Sequence, residues 1–276
     1  MSFRKILRIS ALFGLLINLG FMFSGLISSG QPHLFWNVPS FFIIIGGTLG
    51  AFVTAFPPAQ IKTFGAVLKK AFTTNDFNLK EDISVLIKLS EVSRREGLLS
   101  LEDSLDQYVN DDFIKKGIML IVDGADEELL RNQLEGATHF MRQRHHKGAA
   151  MLDMLAITAP ALGLVGTYVG LIPMLTNLND PNSLGPMMAL ELVSSFYGGF
   201  LANIIFGPLA KRLKNMSKEE AERRELLIEG LAGIQQGKNP KIMKNELLSY
   251  ANLDLDEIES NYDEGVTRTR EVANQP

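Results

Sequence analysis

No cysteine occurs among the 276 residues, so the chain can form no disulfide, no thiolate metal site and no thiol nucleophile. The formal net charge of −4 gives no reason to expect binding to nucleic acid. The adjacent imidazoles of His145 and His146 point in different directions on a helix, and neither has a carboxylate three or four residues further on. We therefore expect no bound metal and no cofactor.

The motifs that carry most enzyme chemistry are missing as well. The sequence contains no nucleotide-binding loop, zinc-binding helix, nucleophile elbow or pair of catalytic carboxylates. The glycine-rich segment 163–170 looks like a phosphate-binding loop at first sight, but it lacks the Lys-Ser/Thr ending. An enzyme is therefore not expected.

Apolar stretches of membrane length are what the sequence does have. The composition, 46% hydrophobic and 21% charged, is that of a soluble protein on average, but the apolar residues are concentrated in four blocks. The blocks are 9–28, 36–56, 148–176 and 184–209. At about 1.5 Å per helical residue, each can cross a hydrocarbon core of about 30 Å. The sequence predicts an all-α polytopic membrane protein with four transmembrane helices and a helical cytoplasmic insert between the second and the third.

Lysine and arginine flank only one end of each block, and the two short turns, 29–35 and 177–183, contain neither. The excess of positive charge on cytoplasmic loops therefore predicts that both termini and the large insert are cytoplasmic. The predicted division of the chain is a first transmembrane hairpin, a cytoplasmic helical domain, a second transmembrane hairpin, and C-terminal cytoplasmic helices with a mobile tail. These segments are 1–56, 57–147, 148–210 and 211–276.

Helix boundaries are predicted from capping signals. An amphipathic helix from Glu81 to Glu96 ends at Gly97, and Ser100 to Asp103 has the Ser-x-x-Asp form that starts the next helix. Asp126 begins a charged helix that we expect to continue into the third span. After the fourth span, Ser217-Lys-Glu-Glu220 has the form of a capping box and predicts a new helix up to about Gln236.

Polar side chains within the last two blocks are the candidate functional groups. Thr167, Ser194 and Ser195 reach comparable depth if the two helices are antiparallel. Each hydroxyl can bond back to its own helix, but three at one depth favour a shared polar path for an ion. Glu191 either reaches water or is protonated, or it serves as a carboxylate ligand where a cation enters.

Glycines beside these hydroxyls recur at spacings of three and four. Gly163, Gly166 and Gly170 line one face of a helix, which predicts a helix-contact face, because small residues let backbones approach closely in lipid.

Charges of both signs cluster where the first helix of the insert ends. From composition alone they are typical of a solvated helix end. The five residues are Arg94, Arg95, Glu96, Glu102 and Asp103.

Several segments of the chain, among them those with the candidate residues above, resemble the MotA/PomA family, the ring-forming membrane subunit of the bacterial flagellar stator. The similarity extends over nearly the whole chain and is specific in combination, whereas the glycine motif alone indicates only the wider TolQ/ExbB/MotA superfamily. The matching pieces are Arg94-Arg-Glu-Gly-Leu-Leu-Ser-Leu-Glu102, Val122-Asp-Gly124, Pro160-Ala-Leu-Gly-Leu-Val-Gly-Thr-Tyr-Val-Gly-Leu171, Gly185-Pro-Met-Met-Ala189, Ser194-Ser-Phe-Tyr-Gly198, Leu201-Ala-Asn-Ile204, Pro208-Leu-Ala-Lys-Arg-Leu213 and Gly237-Lys-Asn-Pro240.

The resemblance implies a pentameric ring in the bacterial plasma (inner) membrane around a MotB/PomB-type, single-span peptidoglycan-binding partner that supplies the essential aspartate. Inward flow of a cation, sodium or proton, would then drive torque on the rotor. By the family pattern, Thr167 and Ser195 line the ion path with Ser194 beside them, and Pro160 and Pro208 are the coupling prolines.

The same resemblance implies rotor contact and a coupling ion. Arg94 and Glu102 match the positions that engage a rotor switch protein of FliG type, and the three neighbouring charges can contribute. Sodium is favoured over proton, because a hydroxyl at the position of Thr167 resembles sodium-driven members. Ser195 stands where the family usually has Thr. Glu191 and Pro173 also depart from the usual residues and leave the outer entrance undefined.

Two other functions fit parts of the pattern. An ExbB/TolQ-type energiser of outer-membrane processes belongs to the same class, but such proteins typically have three spans and lack the segment 94–102. A non-conducting membrane scaffold would use the intramembrane hydroxyls only to hold helices together. Such a scaffold would keep its function when Thr167 and Ser195 are both replaced by alanine.

Overall fold

The computed structural model describes residues 3–75 and 77–251, and within these ranges every regular element is helical. The predicted mobile tail, from residue 254, lies outside the described residues. The α-helices in chain order are α1 (Phe3–Ser28), α2 (Val38–Phe41), α3 (Gly47–Ala55), α4 (Pro58–Ile61), α5 (Phe64–Ala71), α6 (Leu79–Glu96), α7 (Leu101–Tyr108), α8 (Asp112–Val122), α9 (Glu127–Thr176), α10 (Pro181–Phe200), α11 (Gly207–Gln235) and α12 (Pro240–Tyr250).

Two compact units make up the described chain. Unit 1 contains 3–75 and 143–217, and unit 2 contains 77–142 and 218–251. Each unit has its own apolar core. In unit 1, Phe52 packs with Leu152 and Leu155, and in unit 2, Leu86 packs with Leu130 and Leu231.

Membrane-length helices occur in the described chain. Three helical stretches are long and apolar enough to cross a bilayer: Val38–Ala55, Glu127–Thr176 and Leu184–Gln235. In α1, the stretch Leu12–Ser28 is apolar but shorter than these. The all-helical fold is thus as predicted, and three of the four predicted spans have a counterpart among these stretches.

The second predicted span, 36–56, is less regular than its composition suggests. It begins with the short helix α2, whose first turn is capped by Asn37 through a hydrogen bond from the Ser40 amide to Asn37 Oδ1 at 3.0 Å. A π-helical segment, Phe42–Gly46, separates α2 from α3. Pro58 then opens α4, because proline is tolerated in the first turn of a helix.

Helix boundaries in the insert agree with the capping signals in most places. Helix α6 ends at Glu96, and Gly97 adopts φ +91°, a conformation that favours glycine. Asp126 accepts a hydrogen bond from the Leu129 amide, and α9 continues from there without interruption into the third predicted span. Ser100 precedes α7 as predicted, but its hydroxyl donates to the Gly97 carbonyl oxygen at 2.7 Å instead of capping α7.

The predicted helix start at Ser217 is wrong. Helix α11 runs unbroken from Gly207 to Gln235, so Ser217 lies in its interior. The Ser217 hydroxyl pairs with Nδ1 of His145 at 3.2 Å. A capping-box pattern can also occur within a helix, because Ser, Lys and Glu are all accepted there and tertiary contacts decide the boundary.

Candidate functional site

Helices α9 and α10 approach each other through glycine. A Cβ placed on Gly170 would lie 2.7 Å from the carbonyl oxygen of Met187, and one placed on Gly198 would lie 2.7 Å from that of Ala159. A Cβ on Gly163 would also be within 3.2 Å of the α10 backbone. Backbone atoms cannot move aside cheaply, so Gly170 and Gly198 accept only hydrogen, and a side chain at Gly163 would be tightly packed. The predicted helix-contact face of the third span is confirmed.

Ser194 lies at the junction of three helical segments and is 0% exposed. Its hydroxyl donates to Ser40 Oγ of α2 at 3.0 Å. On the α9 side, a Cβ on Gly166 would lie 2.4 Å from both Cβ and Oγ of Ser194, so the serine side chain fills the space that this glycine leaves. The structure therefore places Ser194 inside unit 1 and gives it no surface of its own.

Further polar contacts extend this junction towards the short turn before α2. Ser40 Oγ lies 3.0 Å from Asn37 Oδ1 and 3.2 Å from the carbonyl oxygen of Leu190, both of them acceptors. One turn along α10, the Tyr197 hydroxyl donates to the Phe35 carbonyl oxygen at 2.6 Å and accepts from the Asn37 amide at 3.4 Å. The segment 35–40 is thus bonded to α10 at successive turns.

Thr167 and Ser195 lie away from this junction. Ser195 is exposed and Thr167 is partly exposed. The Thr167 hydroxyl donates to the carbonyl oxygen of Leu164 in its own helix at 2.6 Å, and no hydrogen bond within the described residues joins the two side chains. Each follows directly after a residue of the contact, Gly166 in α9 and Ser194 in α10. On each helix, one residue thus packs against the neighbouring helix and the next residue has an exposed surface.

Glu191 is half-buried in α10, and its Cβ packs beside Gly170, 3.3 Å from the position of a Cβ on that glycine. Within the described ranges its carboxylate has no ion-pair partner. Asp153, the acidic residue near the other end of the third predicted span, pairs with Lys214 of α11 at 2.7 Å.

The two predicted coupling prolines are both exposed and lie in different surroundings. Helix α9 continues through Pro160, whose Cα is 3.0 Å from the position of a Cβ on Gly198. Pro208 stands in the first turn of α11, directly after a π-helical segment, Leu201–Phe206. Because proline has no N–H, the regular hydrogen bond four residues back is missing at both sites.

The five charges predicted to contact a rotor are all exposed around the turn between α6 and α7 in unit 2. Arg95 and Glu96 approach each other at 4.0 Å, with side chains 71% and 59% exposed. Arg94, Glu102 and Asp103 form no ion pair with any described residue. Leu99 lies among them and is 74% exposed, whereas Leu101 is fully buried and holds the turn to the core of unit 2.

Comparison with known proteins places this geometry in a family. Residues 106–226 match the model of the MotA/TolQ/ExbB proton channel family, and residues 12–97 match that of the motility protein A N-terminal region. Motility protein A of Borreliella burgdorferi is 37% identical over 236 residues, which are 86% of this chain and 88% of that protein. The chain belongs to the motility protein A branch of the MotA/TolQ/ExbB family. Members of this family are ion-channel-type motor subunits of the membrane, so the chain is not an enzyme.

Two further comparisons agree with this membership. A Bacillus subtilis protein described as uncharacterized protein YtxD is 40% identical over 217 residues, which are 79% of each chain. A solved structure of the flagellar MotAB stator complex from Bacillus subtilis matches with a TM-score of 0.79 and 32% identity, covering 90% of this chain and 97% of that chain. The N-terminal match favours motility protein A over the ExbB/TolQ alternative.

Sequence reasoning missed the partners of Ser194. Ser40, Asn37 and Tyr197 were not among the predicted site residues, although they form the polar junction. A signal was present in Asn37-Val-Pro-Ser40, where a capping residue precedes a proline within an apolar block. That pattern indicates a helix start, but it does not indicate which helix its side chains will touch.

Proposed function

We propose that this chain is the ring-forming subunit of a flagellar motor stator, which couples the inward flow of a cation to torque on the rotor together with a MotB/PomB-type partner. The observation that carries the proposal is the likeness along 90% of the chain to a solved MotAB stator complex. The membrane-length helices and the exposed hydroxyls of α9 and α10 support it.

In this proposal four helices cross the bacterial plasma membrane, and both termini and the insert 57–147 are cytoplasmic. The apolar part of α1 supplies the fourth span beside the three longer stretches. The hairpins 1–56 and 148–210 form the membrane part, and 57–147 and 211–276 the cytoplasmic part. The composition of the two units supports this division, since unit 1 combines most of both hairpins.

Several copies, a pentamer by resemblance, surround the single-span helices of the partner dimer. The partner's carboxylate receives the cation, because α9 and α10 offer hydroxyls and no strong ligand at that level. Thr167 and Ser195, which have surface available, line the path, and Ser194 supports them from within. A potential of 100 mV supplies about 2.3 kcal/mol for each charge that crosses.

Coupling of ion arrival to movement involves Pro160 and Pro208. Pro160 lies at the glycine contact between α9 and α10. A change in the bend of α9 at this proline therefore displaces its contact with Gly198. Pro208 follows a π-helical segment, and such segments are frequent at functional sites. Both prolines thus lie where a small change in one helix alters its contact with the next.

Contact with a rotor switch protein of FliG type is made by the exposed charges around the α6–α7 turn, chiefly Arg94 and Glu102. Exposed ion pairs are worth only about 0–1 kcal/mol, so such a contact forms and breaks easily. A stator that steps along a rotor needs contacts of this kind.

Sodium is the proposed ion, on the basis of the hydroxyl at Thr167, and Glu191 is the proposed attractor of cations at the entrance. Swimming speed of a complemented strain, measured as external sodium is varied at fixed membrane potential, should rise with sodium. A speed that is independent of sodium contradicts this ion. Unchanged ion dependence in Glu191→Gln counts against the entrance role.

The main test replaces both path hydroxyls in a strain that lacks its own stator and carries the partner gene. The double variant Thr167→Ala/Ser195→Ala should lose most of its swimming speed while still assembling with the partner in the membrane. Thr54→Ala is the matched control, because Thr54 is an exposed threonine of α3 whose hydroxyl bonds back to Gly50 at 2.9 Å. Wild-type speed in the double variant would favour a non-conducting scaffold.

A further inference from the structure

We propose that Asn37 and Ser40 are positioning residues of the ion path, which act through Ser194 to hold Ser195 and Thr167 in place. The inference rests on the proposed function, since it assumes that the cation passes these two hydroxyls. Ser40 is fully buried, and no hydrogen bond within the described residues joins Asn37 or Ser40 to Ser195 or Thr167. Their effect is on the position of α10.

The first support is the burial and connection of the junction. Ser40 and Ser194 are both 0% exposed, and their hydroxyls are 3.0 Å apart. In an apolar surrounding a hydroxyl without a partner is costly, so two such groups strongly favour the one register of α2 and α10 in which they meet. A slide of α10 by one residue would separate them.

The second support is that the junction is anchored at both sides of Ser194. Ser40 also contacts the carbonyl oxygen of Leu190, one turn before Ser194. Tyr197, one turn after it, bonds to the backbone of Phe35 and Asn37. Contacts at three successive turns fix both the height and the rotation of the outer half of α10.

The third support is the neighbouring helix. Gly166 leaves the space that Ser194 fills, and Thr167 is the next residue of α9. Ser195 is likewise the next residue of α10. A shift of Ser194 therefore changes the distance between the hydroxyls of Thr167 and Ser195. The polar partner that prevents this shift, Ser40, lies in α2.

Asn37 fixes the position and orientation of Ser40. Its Oδ1 accepts from the Ser40 amide at 3.0 Å and lies at 3.0 Å from the Ser40 hydroxyl, and so caps α2 and orients the serine at once. Replacing Asn37 by alanine removes both of these side-chain contacts but keeps the backbone amide that donates to the Tyr197 hydroxyl of α10. Asn37 thus acts on the ion path indirectly, through Ser40 and then Ser194.

The experiment measures swimming speed against external sodium, and against external pH if speed does not respond to sodium, in strains carrying single variants. Ser40→Ala and Ser194→Ala should each raise the half-saturating cation concentration about threefold, the size expected from loss of one helix–helix hydrogen bond in a membrane. Ser40→Thr, which keeps the hydroxyl, should restore a value near wild type. The control Thr54→Ala should leave it unchanged.

The double variant Ser40→Ala/Ser194→Ala separates positioning from general damage. If both residues act mainly through the bond they share, the double variant shifts the half-saturating concentration by clearly less than the sum of the two single shifts. Additive shifts, or a fall in maximal speed with the half-saturating concentration unchanged, overturn the proposal. Pull-down of the partner from membranes checks that every variant assembles.

Failure of the inference is distinguishable from failure of the proposed function. If Thr167→Ala/Ser195→Ala abolishes motility and the Ser40 and Asn37 variants behave like Thr54→Ala, only the positioning role is wrong. If the path double variant itself keeps wild-type speed, the ion path is wrong and the positioning role falls with it.

Discussion

Gly198 of α10 lies directly against Pro160 of α9: a Cβ on Gly198 would be 3.0 Å from the Cα of Pro160. The carbonyl oxygen of Ala159 would be closer still, at 2.7 Å. A Cβ on the next residue, Gly199, would meet no described atom within 4 Å apart from its own helix backbone. Two adjacent glycines thus have opposite surroundings.

We predict that Gly198→Ala destabilises unit 1 and Gly199→Ala does not. The added methyl at position 198 meets backbone atoms, and overpacking of this kind costs about 1–3 kcal/mol. The loss should appear as a lower thermal midpoint of the purified protein and as reduced motility. The prediction is contradicted if the two variants unfold at the same temperature.

Gly97→Ala should weaken torque without impairing membrane insertion. At φ +91° and ψ 166° an alanine is strained by about 1–3 kcal/mol, so the turn that presents Arg94 and Glu102 must change shape. Motor speed under load is the measurement. Gly136→Ala is the control, because that glycine lies inside α9, a Cβ on it would meet no described atom within 4 Å apart from its own helix backbone, and alanine favours a helix there.

Arg223→Met should destabilise unit 2. The Arg223 guanidinium bonds both oxygens of Asp82, at 2.6 and 2.8 Å, contacts Asp111 at 2.8 Å and lies 5.2 Å from the ring centre of Phe77. Removing one member of such a buried group leaves carboxylates unpaired and costs about 3–5 kcal/mol.

Hydrogen exchange of the full-length protein tests this loss, because amides of α6 and α8 should exchange faster in Arg223→Met. Lys218→Ala should leave exchange unchanged, since the partner of Lys218 among the described residues is Glu222, on the surface at 3.6 Å. Equal protection in both variants would mean that Arg223 does not hold the two helices.

Unit 2 should lose stability in acid through Asp111. Burial raises the pKa of Asp111, but hydrogen bonds and charge from Arg223, with the amides of Ile114 and Phe113, outweigh it and lower the pKa below its ordinary value. A carboxyl whose folded pKa is lowered contributes stability that is complete above its unfolded pKa of about 4 and is lost as pH falls through the folded value.

Protection of the α8 amides should therefore be constant near neutral pH and decrease in acid below about pH 4–5. Asp111→Asn keeps an oxygen that can cap α8 but removes the charge, so its protection should be lower at neutral pH and should depend less on acid. Asp112→Asn, a change at the exposed neighbouring carboxylate, is the control. An identical acid response in wild type and Asp111→Asn contradicts the assignment.

Much of the fold follows from local sequence. The four apolar blocks, the end of α6 at Gly97 and the start of α9 after Asp126 all depend on composition or on side chains next to the helix end. The start predicted at Ser217 failed, because a capping pattern has no effect where the helix continues from Gly207. The π-helical segment Phe42–Gly46 in the second span was not predicted, because three isoleucines followed by a glycine lower the helix propensity but do not specify a π-helix.

The candidate site was predictable in its residue types but not in its arrangement. Glycines at spacings of three and four must share a helix face, so the contact of α9 with α10 could be expected. The hydroxyls at Ser194 and Ser195 are equivalent in sequence, and nothing local distinguishes the one that packs from the one that faces outward.

The sequence alone thus determined the all-helical fold, the membrane length of three stretches and the family, because each depends on composition, period and motif within a short stretch. Only the tertiary structure decided that Ser194 is buried and Ser195 exposed. The reason is that the partner of Ser194, Ser40, stands 154 residues earlier in the chain, and the bond between them exists only when α2, α9 and α10 are packed together.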